Sequence, residues 1–497
     1  MKNTKNMKGY IFIFLFCVYF LFTDGIATVN DEAQMMNMSI TLVHSGTPAY
    51  TIPGTTKLAF LRFSFLQPLL GVPLAVIGRL SGCVFGIADD YWQSFIIMLF
   101  NPIITASTAV LLYVSILCLF NDRKSALLVS LAFGLGTLSF PYTATFFSEP
   151  LIGLFLFGSI TFSILSSKEN DNDKNMILIS GIFFGMTVLL KFIHIIMVGI
   201  FMLYFFISNK EKSFKHIMGL LCLWFTPVII SVFIYFLYNY YRYRDILNFG
   251  YPRMYPSLQQ DGIKYYLQSF TTPLWYGLVG NLFSPGKSFF YFSPIAIVGV
   301  IGFRKFYKSY KEEGIFIGLV ILFYFYIYST WSVWEGGLCW GPRLLLPLLP
   351  LFLLLSTPLF IQAKGKYKTT LYLLIAISIS VQVISSLKDI VPLMGMRKIY
   401  YGTGSEYRLG FNPWQILFKD VSSSTPLTIA GILYPHLPAV KELRVLLFYP
   451  KYIDIWWIKL VAFRYKTGYV VVVVLTALFI MVLSGLKLIK WGRCDRK

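Results

Sequence analysis

Charged residues are scarce in this sequence, and their scarcity excludes an ordinary soluble domain. Only 13% of the 497 residues are charged, whereas soluble domains carry about 25%. The hydrophobic fraction is 57%, and many runs approach the roughly 20 apolar residues that a membrane span needs. We therefore predict an all-α polytopic membrane protein.

Metal-binding and redox motifs are also missing. The six cysteines stand singly, without a CxxC pair, and most fall in or beside apolar runs, which favours buried free thiols. The four histidines include no HExxH motif, which argues against a metalloprotease. The sequence shows no internal repeat and no low-complexity tract.

Positive charge is in excess, with a formal net charge of +21. We do not expect nucleic acid as a partner, because the basic residues fall between hydrophobic segments, where they orient spans. The run from Met176 to Ile207 is too long for one span, so we predict a tight hairpin with Lys191 at its turn. About twelve spans are predicted, at 9–23, 91–120, 127–141, 150–166, 176–190, 192–208, 217–238, 289–303, 314–330, 344–361, 371–387 and 467–487.

The distribution of Lys and Arg orients these spans. The N-terminus resembles a signal peptide but lacks a convincing cleavage site, so we expect it to remain as the first span. With both termini in the cytoplasm, the cytoplasmic loops hold about 21 Lys and Arg in roughly 60 residues, against about 21 in roughly 218 residues outside. We therefore predict a multi-pass protein of the cytoplasmic (plasma) membrane, with long outer loops at 24–90, 239–288 and 388–466.

The outer loops also suggest how the chain is organised. The stretch LQPLLGVPLAVIG (66–78) is too short to span, so we predict an interfacial helix in the first outer loop. Residues 1–387 form the predicted transmembrane core, and 388–466 form a small extracytoplasmic region. Residues 467–497 form the last helix and a basic cytoplasmic tail.

Acidic residues at the outer ends of spans are functional candidates, because unpaired charge at a membrane edge is unfavourable. Asp31 and Glu32 follow the first span, and a carboxylate there could accept a proton from a hydroxyl nucleophile. The alternative is an acidic pair that the helix dipole favours in a first turn. Glu149 has a similar alternative, as a helix-start acid beside Pro150.

Basic residues at the same membrane surface suit a phosphate. Lys287 follows a Pro-Gly turn in NLFSPGKSFFYFSP (281–294), and Arg343 ends WEGGLCWGPR (334–343). An arginine fork can hold phosphate through two hydrogen bonds, and the glycines would let the backbone approach a ligand closely. The alternative for both cations is snorkelling toward lipid headgroups. Lys191 is the third candidate.

An ordered set of motifs resembles a known family, the GT-C class of membrane glycosyltransferases. The branch is the protein-mannosyltransferase-like and aminoarabinose-transferase-like one (glycosyltransferase family 39). The resemblance covers about residues 9–360, and the last third has no match in it. The motifs are DEAQMMNMSITLVHSG, LQPLLGVPLAVIG, TFFSEPL, NYYRYRDILNFGYP, LFSPGKSFFYFSP and WEGGLCWGPRLLLPLLP.

The resemblance implies transfer of a sugar, hexosyl or pentosyl, from a polyprenyl-phosphate donor to a lipid, glycan or protein acceptor on the extracytoplasmic face. It implies that Asp31 is the base, with Glu32 adjacent, and that Glu149 is a second acid in the cavity. Arg343, Lys287 and Lys191 would meet the phosphate. Substrate contacts are assigned to four further residues, Trp334, Glu335, His44 and Tyr251.

The resemblance leaves two matters open. Some family members use a metal ion, and no firm ligand set is evident in this sequence, so metal dependence is undecided. The Asp-Glu pair is followed by AQMM rather than by the small and aromatic residues of the nearest branches, so the substrate cannot be transferred from any of them.

Two other function classes compete with the glycosyltransferase. A transporter or lipid flippase would tend to show repeats and charges near mid-bilayer, whereas here the charges lie on one side. A polysaccharide ligase or polymerase would share the lipid-linked donor, and the long 388–466 loop suits it.

Overall fold

A computed structural model describes most of the chain. The described residues are 2–25, 27, 30–51, 58–61, 63–85, 90–168, 173–250, 269–337, 339–387, 455–462 and 467–493. Most of the predicted 388–466 region, and the site candidate Tyr251, therefore lie outside them.

The described part is almost entirely helical. The helices are Lys2–Phe22 (α1), Asn30–Ser45 (α2), Leu66–Phe85 (α3), Asp90–Ile97 (α4), Phe100–Phe120 (α5), Arg123–Gly136 (α6), Glu149–Lys168 (α7), Lys174–Leu190 (α8), Val198–Ser208 (α9), Phe214–Tyr243 (α10), Leu274–Phe283 (α11), Phe289–Phe292 (α12), Ile297–Ser309 (α13), Lys311–Thr330 (α14), Leu349–Gln362 (α15), Gly365–Ser386 (α16), Trp456–Ala462 (α17) and Thr467–Arg493 (α18).

Short elements connect these helices. Within the described residues, four 3₁₀ helices cover Pro141–Ala144, Phe192–Met197, Pro294–Ala296 and Arg343–Leu348. Two strands of two residues each, Tyr50–Thr51 (β1) and Leu58–Ala59 (β2), pair antiparallel with Tyr50 opposite Ala59.

The chain is a polytopic membrane protein, as its composition predicts. Within the described residues, eight segments are long and apolar enough to cross a membrane: Leu66–Val84, Trp92–Phe120, Glu149–Lys168, Phe214–Tyr243, Lys311–Thr330, Arg343–Gln362, Gly365–Ser386 and Thr467–Gly492. Seven of them coincide with predicted spans. Three more predicted spans fall on shorter apolar helices, at Asn6–Phe22, Lys174–Leu190 and Phe192–Ser208.

The remaining predictions of helix length need correction. The stretch at 66–78 is not limited to 13 residues, because α3 continues to Phe85 with Arg79 as its single charge. The predicted span 127–141 is a 14-residue helix, α6, which ends at Gly136. The predicted span 289–303 is interrupted at Ser293 and Pro294, since proline cannot donate the backbone hydrogen bond that would continue α12.

The predicted hairpin at Lys191 is confirmed. Helix α8 ends at Leu190, Lys191 adopts an extended conformation, and the chain then turns back through Phe192–Met197 into α9. The rings of Phe184, before the turn, and Phe201, after it, lie 4.7 Å apart. The turn therefore places Lys191 directly after α8, with 27% of its side chain exposed.

Close helix packing depends on small residues, as is common in membrane proteins. A Cβ added at Gly181 of α8 would lie 2.4 Å from the carbonyl oxygen of Trp224 in α10. The fully buried Trp224 ring in turn packs against Phe184 and Phe201. This packing fixes α8 against α10, and Lys191 directly follows the end of α8.

Candidate functional site

Four of the predicted site residues form one charged cluster. The Lys191 Nζ donates a hydrogen bond of 2.8 Å to Glu149 Oε1. The Arg343 Nε lies 3.9 Å from the same oxygen, and its Nη2 lies 4.0 Å from Asp31 Oδ2. The cluster contains two acids and two bases, so its formal charge is balanced.

Helix ends place these charges. Asp31 lies in the first turn of α2, and Glu149 is the first residue of α7, where the positive end of the helix dipole favours a carboxylate. Lys191 directly follows the last residue of α8, where the negative end favours a cation. Arg343 opens the 3₁₀ helix that leads into α15. Three helix ends and one 3₁₀ turn thus meet at one site.

Arg343 has an unusual environment. Its guanidinium carbon lies 4.2 Å from the centre of the Phe147 ring, and only 16% of its side chain is exposed. Its Nε is buried without a hydrogen-bond partner, and no N–H of the guanidinium donates to a described residue. Because arginine carries five N–H donors in a planar fork, the site presents an oriented and largely unused set of donors.

Glu149 has two different oxygens. Its side chain is only 4% exposed, and Oε1 faces both Lys191 and Arg343. Its Oε2 is buried and has no hydrogen-bond partner among the described residues. The carboxylate therefore holds two cations in place through one oxygen and leaves the other available as an acceptor.

Lys287 occupies a different position from the one predicted. Its Nζ lies 3.1, 2.8 and 3.3 Å from the carbonyl oxygens of Gly337, Cys339 and Gly341, and 3.3 Å from the Cys339 Sγ. An ammonium has only three N–H donors, and the residue is 5% exposed. Its hydrogen bonds therefore go to the backbone of the loop at 331–342, and no donor is left for a ligand.

The glycines of this loop serve its backbone shape. Gly336 and Gly337 have φ of +76° and +77°, a conformation that side chains disfavour. A Cβ added at Gly336 would lie 3.1 Å from the Arg343 Cγ. The loop backbone thus approaches the arginine stem closely, whereas the sequence predicted a close approach to a ligand.

Tyr142 also binds the backbone of the loop at 331–342. Its phenol donates a hydrogen bond of 2.8 Å to the Trp340 carbonyl. Burial, followed by the nearby Cys339 thiol, raises the pKa of Tyr142 well above its ordinary value. The phenol therefore keeps its proton and remains a donor to the loop.

Glu32 is a structural partner of the segment before α7. It is 1% exposed, and its Oε2 accepts a hydrogen bond of 2.8 Å from the backbone N–H of Phe146. Asp31, its neighbour, keeps 21% of its side chain exposed. The two adjacent acids thus have different surroundings, and only Asp31 faces Arg343.

The sequence did not predict three residues that support the site. Phe147 lies under Arg343, and the Gln67 and Asn101 amides donate to backbone carbonyls of the segment 142–147. The sequence does contain a signal for Gln67 and Asn101, because buried amides within apolar stretches need hydrogen-bond partners. Nothing in the sequence distinguishes Phe147 from the other 46 phenylalanines.

The remaining substrate candidates are dispersed. Trp334 is buried, and its ring packs against Tyr276 and Gly280 of α11. Glu335 is 6% exposed. His44 is exposed, forms a hydrogen bond with Gln93, and lies near the other end of α2, about 20 Å along the helix from Asp31 at 1.5 Å per residue.

A metal site would need a group of ligands. In the part of the chain that the structure describes, no group of three or more His, Cys, Asp or Glu side chains lies close enough to hold one.

The fold has known counterparts among solved structures, although no family model and no curated protein matches the sequence. ArnT from Cupriavidus metallidurans bound to undecaprenyl phosphate is 12% identical, with a TM-score of 0.50 over 98% of this chain and 78% of that one. Its apo form has a TM-score of 0.51, over 95% and 75%. The archaeal oligosaccharyltransferase AglB from Archaeoglobus fulgidus, in complex with an inhibitory peptide and a dolichol-phosphate, is 10% identical, with a TM-score of 0.51 over 77% of this chain and 56% of that one.

These structures are GT-C membrane glycosyltransferases. The chain therefore has the GT-C fold, and this part of the sequence-based resemblance is confirmed. At these identities the likeness concerns the fold, so the roles of individual residues rest on the geometry of this chain.

Proposed function

We propose that this protein is an integral-membrane glycosyltransferase that moves a sugar from a polyprenyl-phosphate donor to an acceptor on the extracytoplasmic face. The observation that carries this proposal is the Arg343 guanidinium, which lies partly buried on Phe147 without a hydrogen bond to any described residue. A polar group in that setting is unfavourable unless a ligand or solvent satisfies it.

A phosphate suits this guanidinium. Arginine binds phosphate oxygens through two parallel hydrogen bonds, and Lys191 next to it uses one of its three donors on Glu149. The solved neighbours whose names mention a lipid phosphate contain undecaprenyl phosphate and dolichol-phosphate. We therefore assign Arg343 and Lys191 to the donor phosphate.

Lys287 has a supporting role in this proposal. Its ammonium is committed to the carbonyls of the loop that ends at Arg343. It is thus a positioning residue for the arginine and not a phosphate contact.

Asp31 is the proposed base. Its partly exposed carboxylate lies 4.0 Å from the Arg343 Nη2, so an acceptor hydroxyl beside a bound phosphate would lie within its reach. The acceptor oxygen attacks the anomeric carbon while its proton passes to Asp31. The bond from that carbon to the phosphate oxygen breaks, its electron pair stays on the phosphate, and the cations stabilise the added charge.

The membrane setting is consistent with a lipid carrier. Asp31, Glu149, Lys191 and Arg343 all lie at helix ends on the side where the distribution of Lys and Arg predicts the exterior. A donor whose phosphate stands at the headgroup level would reach them from the bilayer. The termini would then be cytoplasmic and the site extracytoplasmic.

The two adjacent acids test the proposal. We expect Asp31→Asn to lower transfer about 10²- to 10⁴-fold, because the base is lost, while detergent-solubilised protein still binds undecaprenyl phosphate. Glu32→Gln is the matched control, because a glutamine oxygen can still accept the Phe146 N–H bond. Transfer is measured with a panel of synthetic undecaprenyl-phosphate hexoses and pentoses, and with glycan and lipid analysis of a complemented deletion strain.

The opposite pattern would reject the assignment. If Asp31→Asn restores full glycosylation while Glu32→Gln does not, Asp31 is not the base. If no variant of Asp31 or Arg343 changes transfer or undecaprenyl phosphate binding, the protein is not a transferase of this mechanism.

A further inference from the structure

The described segment near the end of the chain is attached directly to the first helix. The backbone N–H of Trp456 donates to the Thr23 carbonyl at 3.0 Å. The indole N–H of Trp456 donates to the Phe20 carbonyl at 2.8 Å, and that of Trp457 donates to the Leu21 carbonyl at 2.9 Å. Three hydrogen bonds thus join residues more than 430 positions apart in the sequence.

These bonds satisfy the end of α1. The last four carbonyls of a helix have no partner within the helix, and they need donors from elsewhere. Phe20 and Leu21 belong to the last turn of α1, which ends at Phe22. The two tryptophans, both in α17, therefore cap α1 with their side chains.

Trp456 also lies against the start of the connection from α1 to α2. Gly25 has φ of +84°, and a Cβ built on it would lie 2.7 Å from the Phe95 ring and 3.3 Å from the Trp456 Cβ. The Phe95 and Trp456 rings are themselves in edge-to-face contact, with centroids 5.3 Å apart. Gly25 stands six residues before Asp31, so this contact fixes the start of the connection that leads to the proposed base.

The remaining charged cluster is held by other elements. Glu149, Lys191 and Arg343 belong to α7, the turn after α8 and the loop before α15, and none of these residues takes part in the Trp456 contacts described above. Trp456 therefore supports the base side of the site only, whereas the Glu32 bond to the Phe146 N–H is a support that the two sides share.

We propose that Trp456 and Trp457 are positioning residues that hold the end of α1 and the start of the α1–α2 connection, and thereby set the position of Asp31 against the Arg343 side of the site. This inference rests on the proposed function, because it assigns a role to the distance between base and phosphate. It gives the described helix Trp456–Ala462 (α17) a part in positioning the base, and the two tryptophans act through α1 and not on the reacting atoms.

The test separates turnover from donor binding. We expect the double variant Trp456→Phe, Trp457→Phe to lower kcat about tenfold, because displacements of about 1 Å can change rates up to 10²-fold. The KM for the best undecaprenyl-phosphate sugar of the panel, and the affinity for undecaprenyl phosphate, should stay within twofold. Hydrogen–deuterium exchange should rise in peptides covering 20–35 and stay unchanged in peptides covering 142–149.

The matched control is Trp275→Phe, an exposed tryptophan of α11, which should change none of these quantities. If the double variant is too unstable to purify, Trp456→Phe alone is used, and the same split between kcat and KM is required of it. A folded variant with unchanged kcat, or with donor affinity and kcat lowered together, overturns the inference. An unchanged kcat in Asp31→Asn would instead count against the proposed function, so the two failures are distinguishable.

Discussion

Lys287 and Arg343 both adjoin the loop at 331–342, but their cations have opposite surroundings. Lys287 has four acceptors within 3.3 Å, all from residues 337–341. Arg343 lies on an aromatic ring, with carboxylates 3.9 and 4.0 Å away and no hydrogen bond to a described residue. The difference shows what separates a structural cation from a candidate ligand site. It is the number of N–H donors already bonded to protein acceptors, more than the position of the residue along the sequence.

Removing the arginine fork should produce the largest effect. We expect Arg343→Gln to lower transfer about 10³-fold, by analogy with the loss of an oxyanion donor, and Arg343→Lys to lower it about 10- to 100-fold, because a lysine cannot bind in a bidentate way. The measurements are turnover and undecaprenyl phosphate affinity in detergent. Arg304→Gln, which alters an exposed arginine on α13, is the control.

An Arg343→Lys variant with wild-type donor kinetics would break the comparison. It would mean that the unused donors of the guanidinium are filled by solvent and take no part in phosphate binding.

Removing the Lys287 ammonium should lower thermal stability directly and sugar transfer only as a consequence. Lys287→Met leaves the Gly337, Cys339 and Gly341 carbonyls without their donor, and each unsatisfied buried group costs about 1–3 kcal/mol. We expect a clear fall in the thermal unfolding temperature and about a tenfold loss in transfer, because Arg343 loses its rigid support. The control is Lys305→Met, since that lysine forms an exposed hydrogen bond with Gln362.

Thermal stability and undecaprenyl phosphate binding distinguish the role of Lys287 from that of Arg343. If Lys287→Met abolishes undecaprenyl phosphate binding while its thermal stability is unchanged, Lys287 is itself a phosphate contact and the comparison is wrong.

The smallest effect is expected at the loop backbone. Gly336→Ala imposes a side chain on a residue with φ of +76° and brings a Cβ to 3.1 Å from the Arg343 Cγ. A left-handed conformation costs about 1–2 kcal/mol for an L-residue, so we expect a severalfold loss in transfer. Gly199→Ala, where a Cβ would meet nothing within 4 Å, serves as the control, and equal activity in the two variants would show that the loop tolerates the change.

Much of the fold was predictable because a bilayer imposes long apolar runs and a charge asymmetry. Helices at 149–168, 214–243 and 343–362 follow from such runs. The errors arose where helix length depended on neighbours. Arg79 did not end α3, and Ser293 and Pro294 divided a run that hydropathy treats as continuous.

The site was predictable only as a set of residues on one surface. That Asp31, Glu149, Lys191 and Arg343 share a membrane side follows from the order of the spans. The sequence does not predict which of these side chains contact each other, because that depends on which backbone groups compete for each side chain. Lys287 and Arg343 carry similar signals in sequence, and only the loop carbonyls assign them different partners.

The sequence by itself determined a polytopic, helical membrane protein with its acids and bases at helix ends, because apolar length and charge position are local properties. The tertiary structure alone decided that Glu32 binds the Phe146 backbone while Asp31 faces Arg343. It alone decided that Trp456 caps a helix more than 430 residues away. Hydrogen-bond partners of buried groups are set by packing between distant segments, and no local pattern specifies them.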